Sequence, residues 1–528
     1  MKSYIAAEEL LALGDGDSQF ALIDVREERE FVGMHLLKAS SIPLRRLEID
    51  VPARVPRREC SVVLCDGDGH AEAVEAAARM RSWGYADVRV LAKGLDGWRG
   101  AGLPLYSGIH TLSKAFGEAV EACLHTPSLK PEELARRRQA GEPFLLIDCR
   151  PHEEYLKGSL PGSINIPGVE LFYRLANVVD DASLPIVVHC AGRTRSILGA
   201  QSLRDAGVAN PVYALENGTM GWLLAGYQGV QPDMPAAGFD AAPRNPAAAL
   251  AVAERIRASL GIGLATRATV GAWCDAQATG TTYVVDVRTA EEYCAGHDTR
   301  AAHAPGGQLL QATDKYLMVQ NARVVVADDN GIRASMAAGW LRRMGWRDVT
   351  VWPMFAEPIE LVCGPELRRY CASPCPDVPG VGATRLASLV QKAEAEVLDL
   401  DTSLEYEKAH LPGAHFVKRR SLRRVLDELD AGRQIVLTSS DGVIARLAAA
   451  EAGRRNGVMV LEGGKAAWAT QGLSMSSGPE SMLDPPDDVW RRPVESPGDP
   501  VRNMKEYLSW EVGLMQQIKK DKSVSFTL

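Results

Sequence analysis

The run Ile186-Val187-Val188-His189-Cys190-Ala191-Gly192-Arg193-Thr194-Arg195-Ser196-Ile197 places a thiol where a β-branched segment gives way to a helical pattern. That pattern begins at Ser196 and stops at Gly207, so the residues after Cys190 form a strand-to-helix turn. Backbone N–H groups of such a turn, with the unpaired N–H groups of the following helix, converge on an anion. Arg193 and Arg195 add positive charge. A thiol so placed has its pKa drawn from about 8.5 into roughly the 3.5–7.5 range, which makes it a thiolate at neutral pH. The chemistry is nucleophilic catalysis through sulfur, with Cys190 and Arg195 as the catalytic pair. Ala191, Gly192, Arg193, Thr194 and Ser196 are the expected substrate contacts, and Ser196 also starts the helix.

Neighbouring residues have plainer roles. His189 precedes the thiol on a strand and points to the opposite face, as a packing histidine does. Asp148 and Arg150 are fold residues, the arginine pairing with Glu153 or Glu154. Cys363, Cys371 and Cys375 lack a Cys-x-x-Cys pair and a nearby histidine, so no metal site is expected there or elsewhere.

Around Cys190 the chain reads Asp148-Cys149-Arg150, Glu154-Tyr155, Gly158-Ser159-Leu160-Pro161-Gly162 and, downstream, Glu216-Asn217-Gly218-Thr219-Met220-Gly221-Trp222. The same order recurs at a spacing of roughly 110–140 residues, which is domain-sized. The first copy carries Asp24-Val25-Arg26, Glu30-Phe31, Val62-Val63-Leu64-Cys65 and Gly94-Leu95-Asp96-Gly97-Trp98. The third carries Asp286-Val287-Arg288, Glu292-Tyr293 and Val324-Val325-Val326-Ala327-Asp328, and ends near Trp352. In the fourth stand Asp399-Leu400-Asp401, Glu405-Tyr406, Ile435-Val436-Leu437-Thr438-Ser439 and Gly463-Gly464-Lys465-Ala466-Ala467-Trp468.

This ordered set resembles four tandem domains of the rhodanese-type sulfurtransferases. A length of 528 residues accommodates four such units. The expected fold is α/β, each unit a mostly parallel central sheet flanked by helices. The units are residues 1–107, 124–230, 262–362 and 377–478, followed by a proline-rich tail and C-terminal helix over 479–528. Residues 231–246 read as a linker; helices are expected at 113–123, 247–260 and 501–520.

The resemblance implies sulfur transfer in two halves. Cys190 takes the outer sulfur of a small anionic donor such as thiosulfate, forms a persulfide and passes that sulfur to cyanide or a thiol. Arg193 and Arg195 would bind the donor's sulfonate, and no cofactor is required. Of the other copies, the first keeps Cys65 beside two carboxylates, Asp66 and Asp68, and is a possible second site weakened by like charge. The third and fourth have Asp328 and Ser439 at the thiol position and cannot carry a persulfide; they are expected to supply interface and groove walls. Rival readings are a non-catalytic interaction scaffold or persulfide carrier and a phosphatase, the latter disfavoured because Cys190 to Arg195 is Cys-x4-Arg, a small ring.

A net charge of −8 excludes a general nucleic-acid binder, and no run is long enough to span a bilayer. Ten cysteines scattered along the chain suit a reducing, cytoplasmic setting rather than a disulfide framework. A homo-oligomer is compatible with these features.

Overall fold

A computed structural model describes residues 3–232, 244–275, 279–366, 370–371, 377–429, 433–452, 457–519, 521 and 523–528. Most of the expected linker and Cys375 lie outside these residues. In the second copy the strands stand in the order Ser128–Leu129, Val212–Leu215, Ile186–His189, Leu145–Asp148 and Ile164–Asn165, all parallel. The third and fourth copies repeat that order. Strands buried on both faces by helices need continuous apolar side chains, and runs such as Ile186-Val187-Val188 and Val324-Val325-Val326 supply them. The α/β reading therefore holds in all four copies.

The first sheet has a sixth strand from another copy. Val319–Gln320 of the third copy pairs antiparallel with Phe20-Ala21 of the first. Elsewhere side chains also join the copies. Arg419 of the fourth reaches Glu48 of the first at 2.6 Å. Trp340 of the third stacks edge-on against Phe116 and donates to Ser202 Oγ of the second at 2.8 Å. Gly168 and Gly307 let the second and third backbones touch; a Cβ on Gly168, whose φ is +33°, would lie 2.4 Å from Gly307 Cα.

The three expected helices are observed at Thr111–Leu124, Pro246–Leu260 and Pro500–Ile518, and the helix after Cys190 begins at Thr194, two residues earlier than the pattern suggested. Thr111–Leu124 joins the first two copies, and Pro500–Ile518 packs along it, burying Leu514 and Ile518 against Ala115, Leu37 and Tyr106. Among the described residues no helix is long and apolar enough to cross a membrane.

Candidate active site

Cys190 follows the strand Ile186–His189 and is buried, with Sγ 3.5 Å from Ser196 Oγ. Ser196 also donates to the Arg193 carbonyl at 2.8 Å, so it is both the helix-start hydroxyl and a sulfur neighbour. The floor of the turn is tight: Thr219 N–H donates to the Cys190 carbonyl at 2.8 Å, and Gly218, with φ at +53°, would bring a Cβ within 2.3 Å of that oxygen. Across the parallel ladder Asp148 pairs with His189, which sets Cys149 beside Cys190 on the same face.

Burial alone would raise the Cys190 pKa. The Cys149 thiol donating to its sulfur, the Arg195 guanidinium, the Ser196 hydroxyl and the Lys114 ammonium outweigh burial and bring it down to about 5. Cys149 is the opposite case: burial, and the anion beside it, push it well up. At neutral pH this pair is one thiolate and one thiol.

Arg195 is more enclosed than a solvent-facing ring member. It is buried, grips Glu154 at 2.8 and 3.0 Å, and touches Gln308 of the third copy at 3.1 Å. Arg193 turns away from the sulfur: its guanidinium binds Glu118 at 2.6 and 2.8 Å, with Glu121 and Asn217 as further partners. The cation that joins Arg195 near the sulfur is Lys114, on the helix between the first two copies, held by Glu511 at 3.0 Å. Thr194 is likewise taken up by the C-terminal helix, donating to Glu511 Oε1 at 3.2 Å. Ala191 and Gly192 do line the cavity over Cys190.

Arg150 pairs with Asp148, at 2.7–3.1 Å, and not with Glu153 or Glu154; Glu154 belongs to Arg195. Asp148 also accepts from Ser159 Oγ at 2.7 Å. His189 is a buried packing residue with Nε2 3.9 Å from Asp148 Oδ2, and burial lowers its pKa.

Strand register corrects the assignment of Cys65. Asp24 pairs with Cys65 as Asp148 pairs with His189, Asp286 with Ala327 and Asp399 with Thr438. The residue one step further on is Asp66, Cys190, Asp328 and Ser439 respectively. The carbonyls agree: Leu95 N–H donates to Asp66 and Lys465 N–H to Ser439, as Thr219 does to Cys190. Cys65 therefore occupies the His189 position inside the sheet, fully buried, and burial raises its pKa far above an ordinary thiol's. It is a core residue.

The three oxygen-bearing turns show what the cradle binds. Asp328 accepts N–H bonds from Gly331, Arg333 and Ala334, and Asp66 from Gly69 and Ala73. Ser439 receives Ala445 N–H at a longer 3.4 Å. By position the donors to Asp328 correspond to the N–H groups of Arg193, Arg195 and Ser196. In the fourth copy, where Asp401 replaces the arginine of the Asp-x-Arg motif, Lys465 Nζ fills the gap, 3.1 Å from Asp399 and 2.8 Å from Asp401.

A cavity of about 730 Å³ opens over Cys190. Its walls come from the second copy, the linker helix through His110 and Lys114, the third copy through Gln311, and the tail through Trp490, Arg492 and Tyr507. The third copy thus supplies wall as expected, whereas no described residue of the fourth lines the cavity. None of these distant contributors carries a local sequence signal, apart from the amphipathic pattern of the two helices.

The chain belongs to the rhodanese-like domain family, whose model matches residues 6–101, 130–225, 271–352 and 382–471. Its structure is similar over the full length of both chains to that of a thiosulfate sulfurtransferase from Pseudomonas aeruginosa, with a TM-score of 0.90 and 39% identity. Parts of the chain resemble the HTH-type transcriptional regulator Rv0324 of Mycobacterium tuberculosis, 45% identical over 97 residues, and the adenylyltransferase and sulfurtransferase MOCS3 of Drosophila sechellia, 33% identical over 112 residues. These matches cover 18% and 20% of this chain and span only 40% and 24% of those two relatives.

Proposed function

We propose that the chain is a sulfurtransferase that carries sulfane sulfur from thiosulfate or a similar small anionic donor, through a persulfide on Cys190, to a thiophilic acceptor. The observation that carries this reading is the buried Cys190 in the wall of an open cavity, its thiol pKa drawn down to about 5 by Cys149, Arg195, Ser196 and Lys114. The full-length likeness to a thiosulfate sulfurtransferase supports it.

In the first half-reaction the Cys190 thiolate attacks the outer sulfur of the donor. The donor's S–S bond breaks, sulfite leaves with the electron pair, and Cys190 becomes a persulfide. Arg195 and Lys114 attract the anionic donor and offset charge on the departing sulfite, while the turn N–H groups hold the negative sulfur as an oxyanion hole holds oxygen. In the second half a nucleophile removes the outer sulfur and restores the thiolate, which makes the scheme ping-pong. Asp66, Asp328 and Ser439 leave the other copies without a relay atom, so they act here as scaffold.

Thiosulfate incubation followed by mass spectrometry should show Cys190 heavier by one sulfur, and added cyanide should remove it as thiocyanate. A protein that gains no sulfur on Cys190, from thiosulfate or from an organic persulfide, would end this reading.

A further inference from the structure

The cavity over Cys190 has two halves of different character. At the foot, Lys114 and Arg195 act on the Cys190 sulfur and are nearly enclosed, with side chains 11% and 8% exposed. Nearer solvent, by their exposure, stand Lys157, which is exposed and has no ion-pair partner among the described residues, and Arg492 of the tail, 36% exposed, paired with Glu495 at 2.8 Å and within electrostatic reach of Glu154. The exposed part of the lining also carries apolar Leu223 and Val494, with Trp490 close to Val494 in the tail sequence. Counting the whole lining, five Lys and Arg side chains face two carboxylates, Glu154 and Glu495. A space of about 730 Å³ is of the size that holds organic ligands, far more than one sulfonate-bearing sulfur needs.

The two half-reactions ask for different positions. A donor must touch Sγ of Cys190, next to the inner cations. An acceptor must reach the outer persulfide sulfur, one bond further from the protein, so its body lies in the outer half. We propose that the outer half is an acceptor subsite for an organic thiol bearing carboxylates, with Lys157 and Arg492 binding the carboxylates and Trp490, Val494 and Leu223 covering the apolar stem. This rests on the persulfide reading above. In the step, the acceptor thiolate attacks the outer sulfur, a new S–S bond forms, the bond between that sulfur and Sγ breaks, and Cys190 leaves as thiolate. The outer sulfur, left anionic by the thiosulfate step, takes a proton from solvent before the attack and keeps it, so the product is an organic persulfide and no oxidant or reductant is consumed.

The test uses the full chain charged with thiosulfate and three acceptors: glutathione, which has two carboxylates, 2-mercaptoethanol, which has none, and cyanide. In the Lys157→Gln, Arg492→Gln double variant, the ratio of kcat/KM for glutathione to that for cyanide should fall about tenfold or more, whereas the ratio for 2-mercaptoethanol to cyanide should hold. Equal changes for all three acceptors, or a variant whose loss lies in the thiosulfate half-reaction, would overturn the subsite. Failure of the parent protein to form a Cys190 persulfide would instead sink the underlying reading, and the mass of the charged protein separates the two cases.

Discussion

The turn after Ile186–His189 and the turn ending the strand Arg323–Asp328 are the same length and lead into equivalent helices, Thr194–Asp205 and Ile332–Arg343. One holds Cys190, the other Asp328. In the third copy the anion position is filled by a carboxylate that three N–H groups clamp; burial and the neighbouring Asp329 nevertheless push it up to about 7. Its arginine, Arg333, is wholly buried among Glu170, Glu292 and Asp329. The second copy has the equivalent turn and the Glu154–Arg195 pair, with a cavity over the sulfur. Backbone N–H groups thus hold an oxygen in turns that carry no thiol, and on the proposed reading sulfur transfer needs two further things: sulfur in that position and a path to it. The traffic is also reciprocal. Glu170 of the second copy binds the third copy's Arg333, while Gln308 of the third binds the second copy's Arg195.

The sharpest way to break this comparison is to exchange the residues in the cradles. Cys190→Ser should lower thiocyanate formation by about 10³-fold or more, and Cys65→Ser should leave it near the parent rate. Adding Asp328→Cys to the Cys190→Ser protein should restore nothing, because Arg333 is already paired with three carboxylates and offers an anionic donor no free cation; recovered turnover would show that sulfur alone suffices.

The next effect is smaller. Arg195→Ala removes a charge-assisted contact to the donor, about 1.5–3 kcal/mol or roughly 10- to 150-fold in the thiosulfate half-reaction. Because Arg195 is buried against Glu154, this variant should also lower Tm, and a full rate with a lowered Tm would make the arginine purely structural.

A third expectation concerns pH. Alkylation of Cys190 by iodoacetamide should be near its plateau at pH 7 and fall through a midpoint near pH 5 as the thiolate is protonated, while Cys65 stays unmodified. The smallest effect is that of Cys149→Ala. Removing one donor to the thiolate should move the midpoint upward by about one pH unit, the equivalent of about 1.4 kcal/mol. An unmoved midpoint would mean that Arg195, Ser196 and Lys114 suffice.

Much of this was legible because it is local. The four-fold repeat, the parallel sheets, Cys190 and its turn follow from short apolar runs and motifs a few residues apart. The slip at Cys65 arose where Val62-Val63-Leu64-Cys65 ends in a thiol one residue early. Counting back from the glycine that opens the next helix exposes it, since Gly94 lies 28 positions after Asp66 as Gly218 lies 28 after Cys190. Arg193 was misread for another reason: its partners Glu118 and Glu121 sit on a helix more than 70 residues upstream, and charge complementarity at that separation has no pattern to follow. Lys114, Gln308 and the tail residues were out of reach in the same way. They approach Cys190 only because the copies pack together, and Gly168 meeting Gly307 shows how closely.

The strand Val319–Gln320 has a consequence in time. Its partner on the first sheet, Ala21, is made 298 residues earlier. At a synthesis rate of about 5–20 residues per second, the edge at Phe20-Ala21 waits roughly 15–60 s on the ribosome before the chain that covers it exists. For that interval the nascent first copy presents an open edge able to recruit another strand, from a second nascent chain as readily as from its own. The last step of its assembly is thus set by translation and by closure of a very long loop, and slowing synthesis between the first and third copies should favour chaperone capture or aggregation of the early product over the late one.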